Sequence, residues 1–362
     1  MHGRVFLWRL LFAFVLTSVT TAVGLAGGSL ILQHKITRAK QVALHLDNRL
    51  PGSMNFLILG SDSRAFVDNN ADESSFGDTG VVGGQRADVI IIAHVEPRAR
   101  RGVLVSIPRD TLVHLPNHSG LRLINESFGD GPQGVIDAVK SNFGIPIHHY
   151  VEMDFAGFRS IVDALGGVRM FMPAPSRDKM TGLDIATAGC VRLDGTQALA
   201  WVRSRYYTYY EGGKWRTDPT SDLGRIRRQQ EFIHQLMVQV VEKGALNPLR
   251  ANRLADAALA KLTVDKDFSL RDGLRLVDAF RPAGTAGIEM LTLPTRPVGA
   301  HLLPTSASEA VLGRLRPEAP APAGGKATAA VGPQTALPEV STPLAAPQPA
   351  PAPSGASPHA PC

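Results

Sequence analysis

At 362 residues and 44% hydrophobic, the chain is long enough to bury one domain-sized core with residues left over. A net charge of +6 and a pI of about 9.5 favour an anionic partner, whether nucleic acid, phosphorylated lipid or acidic polymer, without choosing among them. Two cysteines, Cys190 and Cys362, exclude a cysteine-built zinc site and a disulfide framework. They leave room for one disulfide in a chain outside the cytoplasm, and the flexible tail that ends in Cys362 weighs against it.

Residues 1–9 are short and basic, and residues 10–32 carry no charge, which is enough to cross a bilayer as one helix. A cleaved signal peptide would end near Gly24–Leu25–Ala26, but the uncharged run continues past that point. A retained signal-anchor is therefore expected. Arg4 and Arg9 precede the span and Lys35, Arg38 and Lys40 follow it, so charge alone does not orient it. Residues 33–52 read as a polar, partly helical stalk ahead of a domain over 53–300.

Asn55–Leu59 predicts a buried strand that delivers Asp62 and Arg64 at its end. Residues 66–84 are a long polar loop of the kind that is functional or disordered. Gln85–Arg86–Ala87–Asp88 then leads into the apolar run Val89–Val95, and after a turn Gly102–Ile107 leads out to Pro108–Arg109–Asp110. Two such strands with a tight link form a hairpin, which places Arg86 and Asp88 at the same sheet edge as Arg109 and Asp110. With Asp62 and Arg64, three Asp/Arg pairs converge there.

A helix is expected from near Pro132. The adjacent His148 and His149 point to opposite sides of a strand and make a poor metal pair. Phe155, Phe158, Ile161, Val162 and Leu165 recur at helical spacing. Their default role is core, and a second reading lets this face line a groove for a lipid chain. Val168–Met172 predicts a strand and 182–189 a loop. Between Leu193 and Phe232 lie six arginines and one lysine, a bias toward the planar fork that grips phosphate or carboxylate in two places. Arg203 and Arg205 alternate and would share one face of a strand, while Arg225 and Gln229 share a face of a helix over 222–242. Arg216, Arg227 and Arg228 are assigned to the rim or surface. Helices at 251–261 and 270–280 and a strand at 288–293 read as scaffold. From Pro317 the chain turns to Ala, Pro, Gly, Ser and Thr and holds twelve of the 26 prolines, a disordered tail over 317–362.

No phosphate loop, paired metal-binding histidines or nucleophile elbow is present. Carboxylates and arginines remain. Asp62 and Asp88 suit one Mg²⁺ shared with phosphate oxygens, and arginines beyond them would neutralise a diphosphate. The plain alternative is a set of salt bridges along a strand edge beside a solvated basic surface.

NFLILGSDSR, QRADVIIIAHV, GVLVSIPRDT, DFAGFRSIVDALGGV and LDGTQALAWVRSR followed by DLGRIRRQQ resemble, in order and spacing, the LytR-CpsA-Psr family. The resemblance covers about residues 53–243 and weakens toward 295. It implies an α/β domain outside the cytoplasm, with a mixed central sheet flanked by helices, a slot for a polyprenyl tail and one membrane-spanning helix. It also implies transfer of a glycopolymer phosphate from a polyprenyl diphosphate carrier to the peptidoglycan 6-hydroxyl, helped by Mg²⁺, with no nucleic-acid partner. By motif position Asp62 and Asp88 would hold the metal. Arg86, Arg109, Arg203 and Arg205 would bind the diphosphate, joined by Arg225 and Gln229. Asp88 is the candidate general base, with Arg86 and Arg109 beside it. RAD stands where RTD is common, and NESFGDG replaces the family's usual loop, which leaves the acceptor side open. Two rival activities fit the same residues: a polyprenyl-diphosphate hydrolase, and a membrane-tethered regulator without chemistry.

Overall fold

The computed structural model describes residues 39–49, 52–61, 87–99, 101–116, 118–243, 261–279, 288–316 and 362. The candidate span 10–32, the loop 66–84, the helix expected at 251–261 (save Lys261) and the Pro/Ala-rich tail except Cys362 lie outside them. Among the described residues, no helix is long and apolar enough to cross a membrane.

The apolar runs 55–59, 89–95 and 102–107 form strands where they are expected. β1 (Lys40–Val42), β2 (Met54–Ser61), β3 (Ala87–Glu96) and β4 (Arg101–Ile107) join strands His149–Asp154, Leu262–Asp265 and Ile288–Thr292 in one seven-stranded sheet. Across the sheet the order is β1, 262–265, 149–154, β2, β3, β4, 288–292. The pairs β2–β3 and β3–β4 are antiparallel, whereas β2 runs parallel to 149–154 and β4 to 288–292. The sheet is mixed, as the sequence reading expects.

Period-two alternation gives the central strands two apolar faces. Leu57, Leu59, Ile90, Ile92, Val105 and Ile107 pack with Val135, Ile136 and Val139 of the Gly131–Phe143 helix. On the other face Phe56, Ile91, Ala93 and Leu104 meet Ile233 and Met237 of the Ser221–Lys243 helix. That long helix has a second apolar side. Its Phe232 enters a third cluster, built from Val162, the antiparallel pair Val168–Met172 and Gly189–Leu193, and the Gly195–Arg203 helix. It is therefore the element that fixes the outer layer against the sheet.

Five expectations are corrected. Residues 40–42 are not stalk but an edge strand, and Val42, Leu44 and Leu46 pack against the core with period-two spacing. Asp47 completes the attachment by accepting from Ile147 N at 2.9 Å and pairing with Lys140 at 2.9 Å. Arg203 ends a helix rather than lying in a strand, because Asp194 caps Gly195–Arg203 by accepting from Gln197 N. The domain extends beyond 300, since Leu312 and Leu315 are buried in the first cluster. Finally, Cys190 and Cys362 form a disulfide. The 182–189 loop also contains a short strand, Leu183–Ile185.

The attachment of residues 39–49 predicts a measurable stability difference. A chain begun at Gly52 should melt at least ~5 °C below one begun at Ala39 in a thermal scan, because it loses an edge strand, three apolar side chains and the Asp47 anchor.

Candidate functional site

Antiparallel pairing of β3 with β4 matches Ile90 to Ile107, so the start of one strand lies beside the end of the other. Asp88 and Arg109 meet at that edge: Arg109 Nη1 donates to Asp88 Oδ1, and Arg109 Nε stands 3.5 Å from Asp110 Oδ1. β2 ends at the same edge, where Ser61 is matched to Ala87. The β2–β3 register shifts between Gly60 and Ser61, with Gly60 matched to Val89, so Asp88 is the extra residue. A bulge of this kind breaks the alternation and re-aims a side chain. Asp62 and Arg86, chain neighbours of the matched pair Ser61 and Ala87, lie outside the described residues.

The Ser221–Lys243 helix begins over this edge. Arg225, Ile226 and Gln229 from its first turns line a pocket with Asp88, Val89, Ile91, Ser106 and Arg109. The pocket thus joins a carboxylate, two guanidinium groups and a side-chain amide against apolar walls. Arg225 is buried. Gln229 Nε2 donates to Val202 O at 3.1 Å, tying this helix to the one that ends in Arg203. Of the sequence-predicted residues, Asp88, Arg109, Arg225 and Gln229 are brought together. Arg203 and Arg205 are half-buried and are not in that lining; Arg203 lies over the Phe155 ring at 4.4 Å.

The segment that carries Arg203 and Arg205 is held by Arg228, which corrects its assignment to the surface. Arg228 is 7% exposed, donates to Ser204 O at 2.5 Å and to Asp218 Oδ2 at 3.0 Å, and lies over the Tyr207 ring at 4.6 Å. Arg225 and Arg228 stand three apart and so face the same way, a spacing that could have marked Arg228 in the sequence. Arg227 and Arg216 are exposed, as expected. Gly224 is required here, because a side chain would collide with the Asp218 carboxylate and the Thr220 hydroxyl. Burial works to raise the Asp218 carboxyl pKa, but the Thr220 hydroxyl and amide and the Arg228 guanidinium outweigh it and hold it below the ordinary value.

A further carboxylate stands near the same edge. Glu152, on the strand parallel to β2, accepts from Ser61 Oγ at 2.7 Å and from Tyr150 OH at 2.9 Å. Burial, with Glu152 beside it, pushes the Tyr150 phenol far above its ordinary range, so it remains a donor. Tyr150 and Glu152 stand two apart and share a face, which is the pattern that could have flagged the pair. His148 and His149 do diverge: His148 Nδ1 accepts from Asn55 N, and His149 Nδ1 lies 3.1 Å from Asp265. Among the described residues, no group of three or more His, Cys, Asp or Glu side chains could hold a metal.

The candidate lipid face is divided. Val162 is 1% exposed within the third cluster and Phe158 packs on Phe232 at 5.2 Å between centroids, so both serve the core. Phe155, Ile161 and Leu165 are half-buried, and Phe155 borders Arg203.

The family model described as the LytR_cpsA_psr family matches residues 27–310. The chain belongs to the LytR-CpsA-Psr family. Among curated members, it is 34% identical over 242 residues to the probable cell wall biosynthesis protein LcpB of Corynebacterium glutamicum, covering 66% of this chain and 54% of that protein. It is 32% identical over 214 residues to the polyisoprenyl-teichoic acid–peptidoglycan teichoic acid transferase TagU of Enterococcus faecalis, covering 59% of this chain and 61% of that one. The chain thus spans roughly half to three fifths of the length of these relatives. Among solved structures, the LytR-Csp2A-Psr enzyme of Actinomyces oris superposes with a TM-score of 0.64 at 28% identity, over 77% of this chain and 96% of that one. TagT bound to LI-WTA shares the fold, with a TM-score of 0.53 at 20% identity over 77% and 96% of the two chains.

In this LytR-CpsA-Psr chain the depressed Asp218 pKa sets a pH signature. A depressed carboxyl contributes stability above its unfolded value, 3.8, and loses it as pH falls through the lower folded value. Asp218→Asn should therefore melt below wild type at neutral pH, and the gap should close only below about pH 4 in an acid series of thermal melts.

Proposed function

We propose that this chain transfers a glycopolymer phosphate from a polyprenyl diphosphate carrier to a peptidoglycan hydroxyl. The observation that supports the reading best is the pocket where Asp88 and Arg109 from the sheet edge meet Arg225 and Gln229 from the long helix. A carboxylate surrounded by guanidinium groups in a partly dry cleft suits a diphosphate, whose bound oxygens the arginines grip and whose developing charge they neutralise. The names of LcpB and TagU, both tied to cell wall assembly, point the same way.

In the proposed step the acceptor hydroxyl oxygen attacks the phosphorus that carries the glycopolymer. The bond from that phosphorus to the bridging oxygen breaks, so polyprenyl phosphate leaves with the bridging oxygen. The hydroxyl proton passes to a base at the sheet edge, for which Asp88 is the candidate. Arg109 positions the Asp88 carboxylate, and Arg109 and Arg225 hold the phosphates. Arg86, Arg203 and Arg205 are proposed to extend the same anion site. Catalysis by position and charge needs no covalent nucleophile.

The chemistry of the site fits a Mg²⁺ ion. Asp88 offers hard carboxylate oxygen at a part-exposed edge, and one or two carboxylates with phosphate oxygens suffice for this cation. Asp88 would hold it with Asp62, and when bound it would neutralise phosphate charge. We place the domain outside the cytoplasm behind a membrane anchor at 10–32, a location supported by the Cys190–Cys362 disulfide, since such bonds persist in oxidising compartments.

Release of polyprenyl phosphate and labelling of the glycan acceptor test the proposal together. Asp88→Asn, Arg109→Ala and Arg225→Ala should each lower both by about 100-fold or more, while exposed Arg227→Ala leaves them near wild type. Wild-type rates in Asp88→Asn would overturn the assignment. Release of polyprenyl phosphate without acceptor labelling would identify a hydrolase instead.

A further inference from the structure

A second, smaller sheet stands beside the site, in the order Leu183–Ile185, Ser176–Asp178, Thr208–Glu211, Lys214–Thr217. Cross-strand partners share a face, so the registers define what each side presents. Asp184 is matched to Arg177, Arg177 to Thr208, Thr208 to Thr217, and Tyr210 to Trp215. The opposite side is inward: Leu183, Ile185 and Tyr209 pack in the third cluster. The outward side holds two aromatic rings, an arginine, two threonines and an aspartate. Tyr210 is 43% exposed and Trp215 37%, large values for rings in a sheet. They meet edge to face at 5.5 Å, and Arg177 covers the Trp215 ring at 3.8 Å.

This face is held in place rather than loosely appended. Asp218 N donates to Tyr207 O and closes the base of the hairpin, and Arg228 clamps both Ser204 and Asp218 from the long helix. Arg225, one turn earlier on that helix, lines the pocket. The clamp therefore connects the anion site directly to the aromatic hairpin, and Arg205 and the 63% exposed Tyr206 lie on the segment between them.

We infer that the outward face carrying Tyr210, Trp215 and Arg177 docks the glycan strand of peptidoglycan and leads its hydroxyl toward the pocket. The inference rests on the reading of the site as a glycopolymer–peptidoglycan transferase and adds where the acceptor binds. Pyranose rings present flat C–H surfaces that stack on aromatic faces, and their hydroxyl and acetamido groups pair with threonine, tyrosine and carboxylate neighbours. Peptide stems add carboxylates, which Arg177 and the exposed Lys179 complement. A bilayer is the weaker match. The face carries no aliphatic side chain and would bury Asp184 and two threonines, and Trp215 lies against Arg177 instead of projecting.

The test is co-sedimentation of the full chain with purified peptidoglycan sacculi stripped of secondary polymer, beside binding of a soluble prenyl diphosphate and of anionic phospholipid vesicles. Tyr210→Ser and Trp215→Ser should each weaken sacculus binding about tenfold and leave prenyl diphosphate affinity unchanged. Trp215→Phe, which keeps a ring, should retain most of it and serves as the check on folding. Asp88→Asn should bind sacculi like wild type, so loss of docking and loss of chemistry are read separately. Wild-type sacculus binding by both serine variants would overturn the inference, as would a loss confined to vesicle binding. Weakened sacculus binding by the serine variants with full transfer in Asp88→Asn would keep the docking face and reject the catalytic reading.

Discussion

An arginine at the end of one strand donates to an aspartate at the start of its antiparallel neighbour, and the site is arranged around that pair. Asp88 and Arg109 lie twenty-one positions apart, and only the β3–β4 pairing brings them together. The register fixes which residues stand opposite, and the bulge beside Gly60 breaks the alternation at Asp88. Without the sheet, the carboxylate and guanidinium would be two solvated charges. With it, they form a fixed corner against which a helix can close.

The closing helix explains why the outer layer matters to the chemistry. Ile233 and Met237 hold it to the sheet, and Phe232 holds the third cluster on its far side. Its polar face then serves two ends. Arg225 and Gln229 complete the pocket, and Arg228 fixes the chain that leaves Arg203 and runs into the aromatic hairpin. A buried guanidinium is costly to desolvate, so its charge needs partners. Asp218, Ser204 O and the Tyr207 ring supply them.

Much of this was legible in the residues, and the failures have physical causes. The runs 55–59, 89–95 and 102–107 are buried on both faces and read as strands, and their short link predicted the hairpin edge that carries Asp88 and Arg109. The Arg225/Gln229 face followed from helical spacing. The alternation of Arg203 and Arg205 suggested a strand, but the capping aspartate at 194 and the good helix formers after it prevailed locally. Residues 40–46 were obscured by their charged neighbours, although Val42, Leu44 and Leu46 alternate. The disulfide joins positions 172 apart in sequence, and no local pattern encodes such a contact. Arg228 looked like one of a charged pair with Arg227. The three-residue spacing from Arg225 is what sets it apart, since it turns Arg228 to the buried side and leaves Arg227 exposed.

The central claim is that this edge binds a diphosphate through groups from two elements. Calorimetric titration with a soluble prenyl diphosphate, run as a double-mutant cycle over Arg109→Ala and Arg225→Ala, measures it most directly. The account predicts that each substitution costs about tenfold or more in affinity and that the two losses are not additive, because both guanidinium groups hold one ligand. Wild-type affinity in the double variant, with the fold intact, would contradict it.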